Sequence, residues 1–172
     1  RDELGLEWLA VGHHQEDQAE TVLQRLLRGS GVRGLGGIQP RRNDGVIRPM
    51  LSCSRESIDS YLKHHGLSVI RDPSNKDTRF ERVRVRTEIL PLLVREDPQV
   101  TQHLTDIADE AREIFQWVEE RAADAMASVL TAEGGLSRDA LEELPAPVRK
   151  AVVRRWLTDA SGRVPSRAHV SD

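Results

Sequence analysis

The chain has 172 residues, 31% charged and 38% hydrophobic, with a formal net charge of −3 at pH 7. Its single cysteine, Cys53, excludes an internal disulfide framework and any Cys-x-x-Cys metal or sulfur-carrying motif. No apolar run approaches the roughly 18 residues of a membrane span and no stretch resembles a signal peptide, so a cytoplasmic setting is expected.

Residues 6–11 read as a short buried strand, followed by a helix over 17–28 that begins around Asp17 and stops at Gly29. Residues 29–37 carry too many glycines for a regular element, and 46–51 read as an extended segment that Pro49 confines to an edge or a strand end. Ser54 is placed to cap a helix running to His65, with Ile58, Tyr61 and Leu62 as its apolar stripe and Gly66 as its stop. Leu67 to Ile70 reads as another strand and Asp72-Pro73-Ser74-Asn75 as a turn. Residues 77–95 fit either period, but the helix is favoured because Val85, Ile89, Leu92 and Leu93 share one face, with a kink or restart at Pro91. A long helix is predicted from Gln99 to about Leu130, then one capped by Ser137 over Arg138 to Leu144. A last one runs from Pro147 to Leu157 with Val148, Val152 and Trp156 inward. A lone parallel strand with one helix cannot bury both faces of a sheet, and the chain opens on Arg1 rather than Met; a segment of a longer protein is therefore expected.

Charge is unevenly spread: net −5 over residues 1–24, +8 over 25–95 and −6 over 96–172. A basic middle suits a polyanion, although on charge alone a solvated basic face is the stronger reading. The densest ionisable cluster follows the first strand: His13, His14, Glu16, Asp17 and Glu20. In open α/β sheets this end of a strand is where ligands bind. His14, Asp17 and Glu20 are spaced three apart and share a face at the helix start. That spacing serves a His–carboxylate metal site, a nucleotide site with Asp17 beside Mg2+, or plain capping by Asp17 with Glu20 in the first turns; spacing alone favours the last. Gly29-Ser30-Gly31-Val32-Arg33-Gly34 matches the dinucleotide fingerprint formally, but a helix rather than a strand precedes it. A flexible loop carrying Arg28 and Arg33, or a helix end and connection, fits better. Arg79, Arg82, Arg84 and Arg86 set four guanidinium groups within eight residues. Together with Arg41, Arg42, Arg48 and Lys63 they suit phosphate oxygens, or Arg79 to Arg86 pair with Glu81 and Glu88 on a surface helix. Sparse aromatics argue against a broad base-stacking platform.

Three blocks carry a resemblance. His14-Gln15-Glu16-Asp17-Gln18-Ala19-Glu20-Thr21 continues to Arg25-Leu26-Leu27-Arg28-Gly29-Ser30-Gly31 and Gly34-Leu35. Arg48-Pro49-Met50-Leu51 precedes the Arg55 to Gly66 helix. The last block is Asp72 to Asp77, Phe80, Arg82, Arg86 and Leu90-Pro91-Leu92-Leu93. In order and spacing these resemble the tRNA(Ile)-lysidine synthetase family of PP-loop ATP pyrophosphatases. The resemblance implies an α/β fold: the C-terminal part of a doubly wound parallel-sheet, adenine nucleotide alpha hydrolase-like catalytic domain over residues 1–95. A connecting helix over 96–130 and the start of a helical tRNA-binding domain over 131–172 would follow. It implies an ATP-dependent ligase that adenylates the wobble cytidine of an isoleucine tRNA with a CAU anticodon, after which free L-lysine displaces AMP to give lysidine. ATP and Mg2+ are the implied cofactors, the implied location is cytoplasmic without membrane contact, and a homodimer is compatible.

Carried over residue by residue, His14, Asp17 and Glu20 would be catalytic, with His14 near the adenylate or pyrophosphate and Asp17 near Mg2+ or the lysine amine. Arg82 and Arg86 would bind phosphate or the activated nucleotide, and Arg28, Gly29, Gly31 and Arg33 would belong to a loop near the substrate. Val83 stands where the family commonly has Asn between the two arginines. The family's Ser-Gly-Gly-x-Asp-Ser phosphate loop precedes the point where this chain opens, so the segment by itself is expected to be inactive. The competing readings are a tRNA-thiolating PP-loop enzyme, which the lone Cys53 disfavours, a non-catalytic RNA-binding module, and a metal-dependent hydrolase using His13, His14 and Asp17.

Overall fold

The computed structural model of the protein describes residues 5–69 and 79–162. The chain divides into two compact units, within 1–112 and 113–172.

In the first unit, β1 (Leu9–Ala10) lies parallel to β2 (Val46–Ile47), with Leu9 opposite Val46 and Ala10 opposite Ile47. The Val11 N–H extends the ladder to the Ile47 carbonyl at 2.9 Å. The strand expected over 6–11 is thus reduced to two paired residues, and it is not buried: Leu9 is 52% exposed. Burial of a parallel strand requires layers on both faces, and among the described residues β1 pairs only with β2.

Helix α1 (Gln15–Leu27) starts two residues before the predicted Asp17, because His14 rather than Asp17 occupies the capping position with extended backbone. It ends with Ser30 N–H bonded to the Arg25 carbonyl and Gly29 at φ +70, the reversal that favours glycine. The glycine-rich stretch is not irregular throughout: α2 (Val32–Leu35) forms one helical turn within it. Nor is the loop loose. The fully buried Gln18 accepts from the Ile38 N–H at 2.6 Å and donates to its carbonyl, Arg25 donates to the Gly37 carbonyl at 2.8 Å, and Arg112 donates to the Gly36 carbonyl at 3.1 Å.

Helix α3 (Arg55–His64) follows the prediction, with Ser54 Oγ accepting from the Ser57 N–H. Its apolar stripe is only half-buried at Ile58 and Leu62, and Tyr61 is exposed. Residues 67–69 form no strand and are exposed, whereas Ile70 and the Asp72–Asn75 turn lie outside the described residues.

Residues 81–96 are helical in three pieces: α4 (Glu81–Arg84), a π-helical turn (Val85–Ile89) and α5 (Leu90–Glu96). Pro91 explains the wide turn. It has no N–H for the Thr87 carbonyl and its ring clashes there, and the preceding Leu90 N–H reaches back to Val85. The extra residue shifts the inward face. Val85 and Leu90 are buried, whereas Ile89 is half-buried and Leu92, predicted inward by an unbroken 3.6-residue period, is 53% exposed. Leu90 joins Ala19, Val22, Leu104 and Ala108 in the unit's core.

Helix α6 (Val100–Val129) runs through the boundary between the units. In the second unit its Ala122 and Val129 pack with Val148, Ala151 and Val152 of α8 (Ala146–Ser161). Ser137 caps the intervening α7 (Arg138–Glu142), as its sequence predicts. Burying each valine here contributes about 1.5–3 kcal/mol. Among the described residues no helix is long and apolar enough to cross a membrane.

Candidate functional site

The site is built where α1 leaves the carboxyl end of β1. The His14 N–H, one of the donors a helix start leaves unpaired, is accepted by Asp17 Oδ2 at 3.1 Å. The His14 ring lies between two acids, with Nδ1 at 2.8 Å from Glu16 Oε2 and Nε2 at 3.5 Å from Asp17 Oδ2. Glu16 also accepts the Arg55 N–H at 3.0 Å, which ties the start of α1 to the start of α3. Being three residues apart, Asp17 and Glu20 point to one side of α1, and both are buried.

What neutralises them comes from far along the chain. Arg82 on α4 and Arg86 on the π-turn are four residues apart and so share a face. Asp17 Oδ1 accepts from Arg82 Nη2 at 2.8 Å and from Arg86 Nη2 at 2.9 Å. Glu20 takes a bidentate pair from Arg86, at 2.6 Å to Nε and 2.8 Å to Nη2, plus a longer contact of 3.3 Å from Arg82 Nε. Charge-assisted forks of this kind are the strong end of the hydrogen-bond range. The bonds to Glu20 push the Arg86 guanidinium still further above its usual basicity. Glu81 and Glu88 are therefore not the partners of these arginines; Glu81 pairs with Arg28.

His13, beside this cluster, enters the sequence reading only within the ionisable run and the hydrolase alternative, and its partner in the structure is Arg48. The His13 Nδ1 accepts from Arg48 Nε at 3.1 Å, and Arg48 Nη1 donates to the Gln39 carbonyl at 2.6 Å. Burial lowers the His13 pKa; Asp17 opposes that shift, whereas Arg48, Arg82 and His14 reinforce it. A signal existed in the sequence, since Arg48 stands just past β2 as His13 stands just past β1.

The structure brings together His14, Asp17, Glu20, Arg82 and Arg86. Arg28, Gly29, Gly31 and Arg33 lie at the other end of α1, with Arg28 about 16 Å along the helix from Asp17. Gly31 caps α2, and Arg33 is exposed on it. Val83 is half-buried on α4. Asp17 accepts three N–H groups, two on Oδ1 from Arg82 and Arg86 and one on Oδ2 from His14. Among the described residues no group of three His, Cys, Asp or Glu side chains is placed to hold a metal ion, so the His13–His14–Asp17 hydrolase reading has no geometric support.

The family profile of the PP-loop domain matches residues 2–93, and that of the TilS substrate binding domain matches residues 136–172. Among curated proteins, the chain is similar to the tRNA(Ile)-lysidine synthase of Geobacillus kaustophilus (strain HTA426), 38% identical over 164 residues, covering 92% of this chain and 35% of the relative. The protein of that name from Azoarcus sp. (strain BH72) is 40% identical over 178 residues, covering 98% and 38%. The one from Vibrio cholerae (El Tor Inaba N16961) is 36% identical over 164 residues, covering 94% and 37%. The chain spans about a third of the length of these relatives.

Proposed function

The chain belongs to the PP-loop domain family, and on that premise we propose that the native polypeptide containing it ligates lysine to the wobble cytidine of the AUA-decoding isoleucine tRNA. In this reaction the base oxygen of the cytidine attacks the α-phosphorus of ATP and pyrophosphate leaves. The lysine amine then displaces AMP, forming the carbon–nitrogen bond of lysidine. One site must therefore hold an ammonium group and phosphates close together, in attacking geometry.

The observation that carries the reading is the cluster of Asp17 and Glu20 with Arg82 and Arg86 just past the carboxyl end of β1. The Asp17 carboxylate suits the lysine ammonium, with the buried Glu20 in support through its fork with Arg86, and the guanidinium groups suit a phosphate or the substrate carboxylate. Arg82, the more exposed arginine with side-chain accessibility of 43%, is the one that meets the nucleotide, and His14 lies toward the adenylate. Mg2+, when bound, would neutralise phosphate charge, and Asp17 is the residue that would lie near it, an oxygen donor of the kind Mg2+ prefers. The loop of Arg28, Gly29, Gly31 and Arg33 borders the tRNA. We assign residues 1–95 to a doubly wound catalytic domain, 96–130 to a connecting helix and 131–172 to the start of the tRNA-binding domain of a cytoplasmic enzyme. A homodimer is compatible with this assignment.

The test is AMP release by the native polypeptide with ATP, Mg2+, L-lysine and a CAU-anticodon tRNA(Ile) transcript. Release that requires both lysine and the transcript supports the proposal; release that requires neither, or requires a sulfur donor instead, overturns it.

A further inference from the structure

We propose that Arg48 is a positioning residue that fixes His13 as its neutral Nε2–H tautomer, so that His13 serves the site as a hydrogen-bond donor and not as a base. A guanidinium carries only donors. Its Nε sits 3.1 Å from His13 Nδ1, so Nδ1 must present its lone pair, and the ring proton of a neutral imidazole then resides on Nε2. Arg48 is itself held, because its Nη1 donates to the Gln39 carbonyl at 2.6 Å. The two residues follow the paired strands, His13 after β1 and Arg48 after β2, and the Val11–Ile47 backbone bond of 2.9 Å keeps the strand ends in register. The hydrogen bond is thus set by the sheet rather than by a mobile side chain.

The charged and titratable groups acting on His13 are Asp17, Arg48, Arg82 and His14. Partial burial disfavours a second proton on the ring, Asp17 opposes this, and the two arginines and His14 act with burial. A neutral N–H donor beside Arg82 fits an anionic oxygen without adding charge. Deprotonation of an attacking amine must then fall to another group. This consequence for turnover rests on the proposed ligase reaction; the tautomer itself does not.

The experiment is a long-range 1H–15N correlation spectrum of the 15N-labelled native polypeptide near pH 7.5, with His13 assigned by its loss in His13→Gln. Protonated Nε2 and bare Nδ1 are expected. Arg48→Met should move both nitrogens toward the averaged values of a free imidazole, and Arg48→Lys, which keeps a donor, should restore much of the separation. In the lysine-dependent assay, Arg48→Met should lower kcat and move the acid limb of the pH profile upward, with the KM for lysine little changed. A protonated Nδ1 in the wild-type spectrum overturns the proposal whatever the variants do. So does an Arg48→Met variant whose His13 loses the fixed tautomer while kcat and the pH profile stay put. If the wild type forms no lysidine, the ligase reading fails on its own, and the wild-type spectrum still decides the tautomer.

Discussion

Arg86→Ala is expected to be among the most destabilising single changes in the first unit, and more so than removal of its partner. The Glu20 side chain is only 2% exposed, and Arg86 supplies two of its three contacts, at 2.6 and 2.8 Å, leaving the 3.3 Å contact from Arg82 when it is removed. Orphaning a fully buried charge costs about 3–5 kcal/mol. The Arg86 side chain is 33% exposed, so its removal admits water to the carboxylate and the expected loss falls to about 2–3 kcal/mol. Glu20→Ala leaves behind a guanidinium that already reaches solvent, and should cost about 1–2 kcal/mol. The double variant should be more stable than the sum of the two losses implies, by about 1–2 kcal/mol. Urea unfolding of the native polypeptide followed by circular dichroism checks this. With a slope of about 2 kcal/mol per molar, Arg86→Ala should lower the midpoint by about 1 M. A loss below about 0.5 kcal/mol, the level of a surface pair, or a greater loss for Glu20→Ala, would refute the burial asymmetry.

Three further outcomes are expected. Gly37→Ala should destabilise by about 1–3 kcal/mol in the same assay, because Gly37 has φ +62 and an added Cβ would lie 2.5 Å from Gln18 Oε1. Arg28→Ala should leave the midpoint unchanged, since its pair with Glu81 is exposed. His13 has a folded-state pKa below its ordinary value, so the unfolded chain binds the extra proton first. Its contribution to stability is full above about pH 6.5 and is lost as pH falls toward the folded value. His13→Gln should flatten the stability profile across that interval, and an unchanged slope would contradict the assignment.

Helices α3, α7 and α8 were legible because their ends carry local signals: Ser54 and Ser137 as caps, Gly66 after α3 and Pro147 at the start of α8; α8 nevertheless begins at Ala146 and runs to Ser161, four residues past the predicted Leu157. The long period of α6 was equally clear. The π-turn was hidden, since Pro91 announces an interruption but not whether the chain kinks, restarts or widens. That choice decided that Leu90, and not Leu92, faces inward. Spacing also put His14, Asp17 and Glu20 on one helix face and Arg82 with Arg86 on another. It could not join them, because the pairing spans more than sixty residues and depends on how α1 packs against the π-turn. Local charge suggested Glu81 and Glu88 as partners, and burial of Asp17 and Glu20 selected differently. The His13–Arg48 bond escaped for the same reason, as it follows from the β1–β2 register.

The measurement that bears most directly on the central claim is nucleoside mass spectrometry of a CAU-anticodon tRNA(Ile) transcript after incubation of the native polypeptide with ATP, Mg2+ and L-lysine. Wild type and the His14→Ala and Asp17→Asn variants should be run in parallel. The account predicts a wobble cytidine heavier by one lysine less one water with the wild type, and none with either variant while both still bind the transcript. An unmodified cytidine with the wild type, or near-normal conversion by His14→Ala, would contradict it.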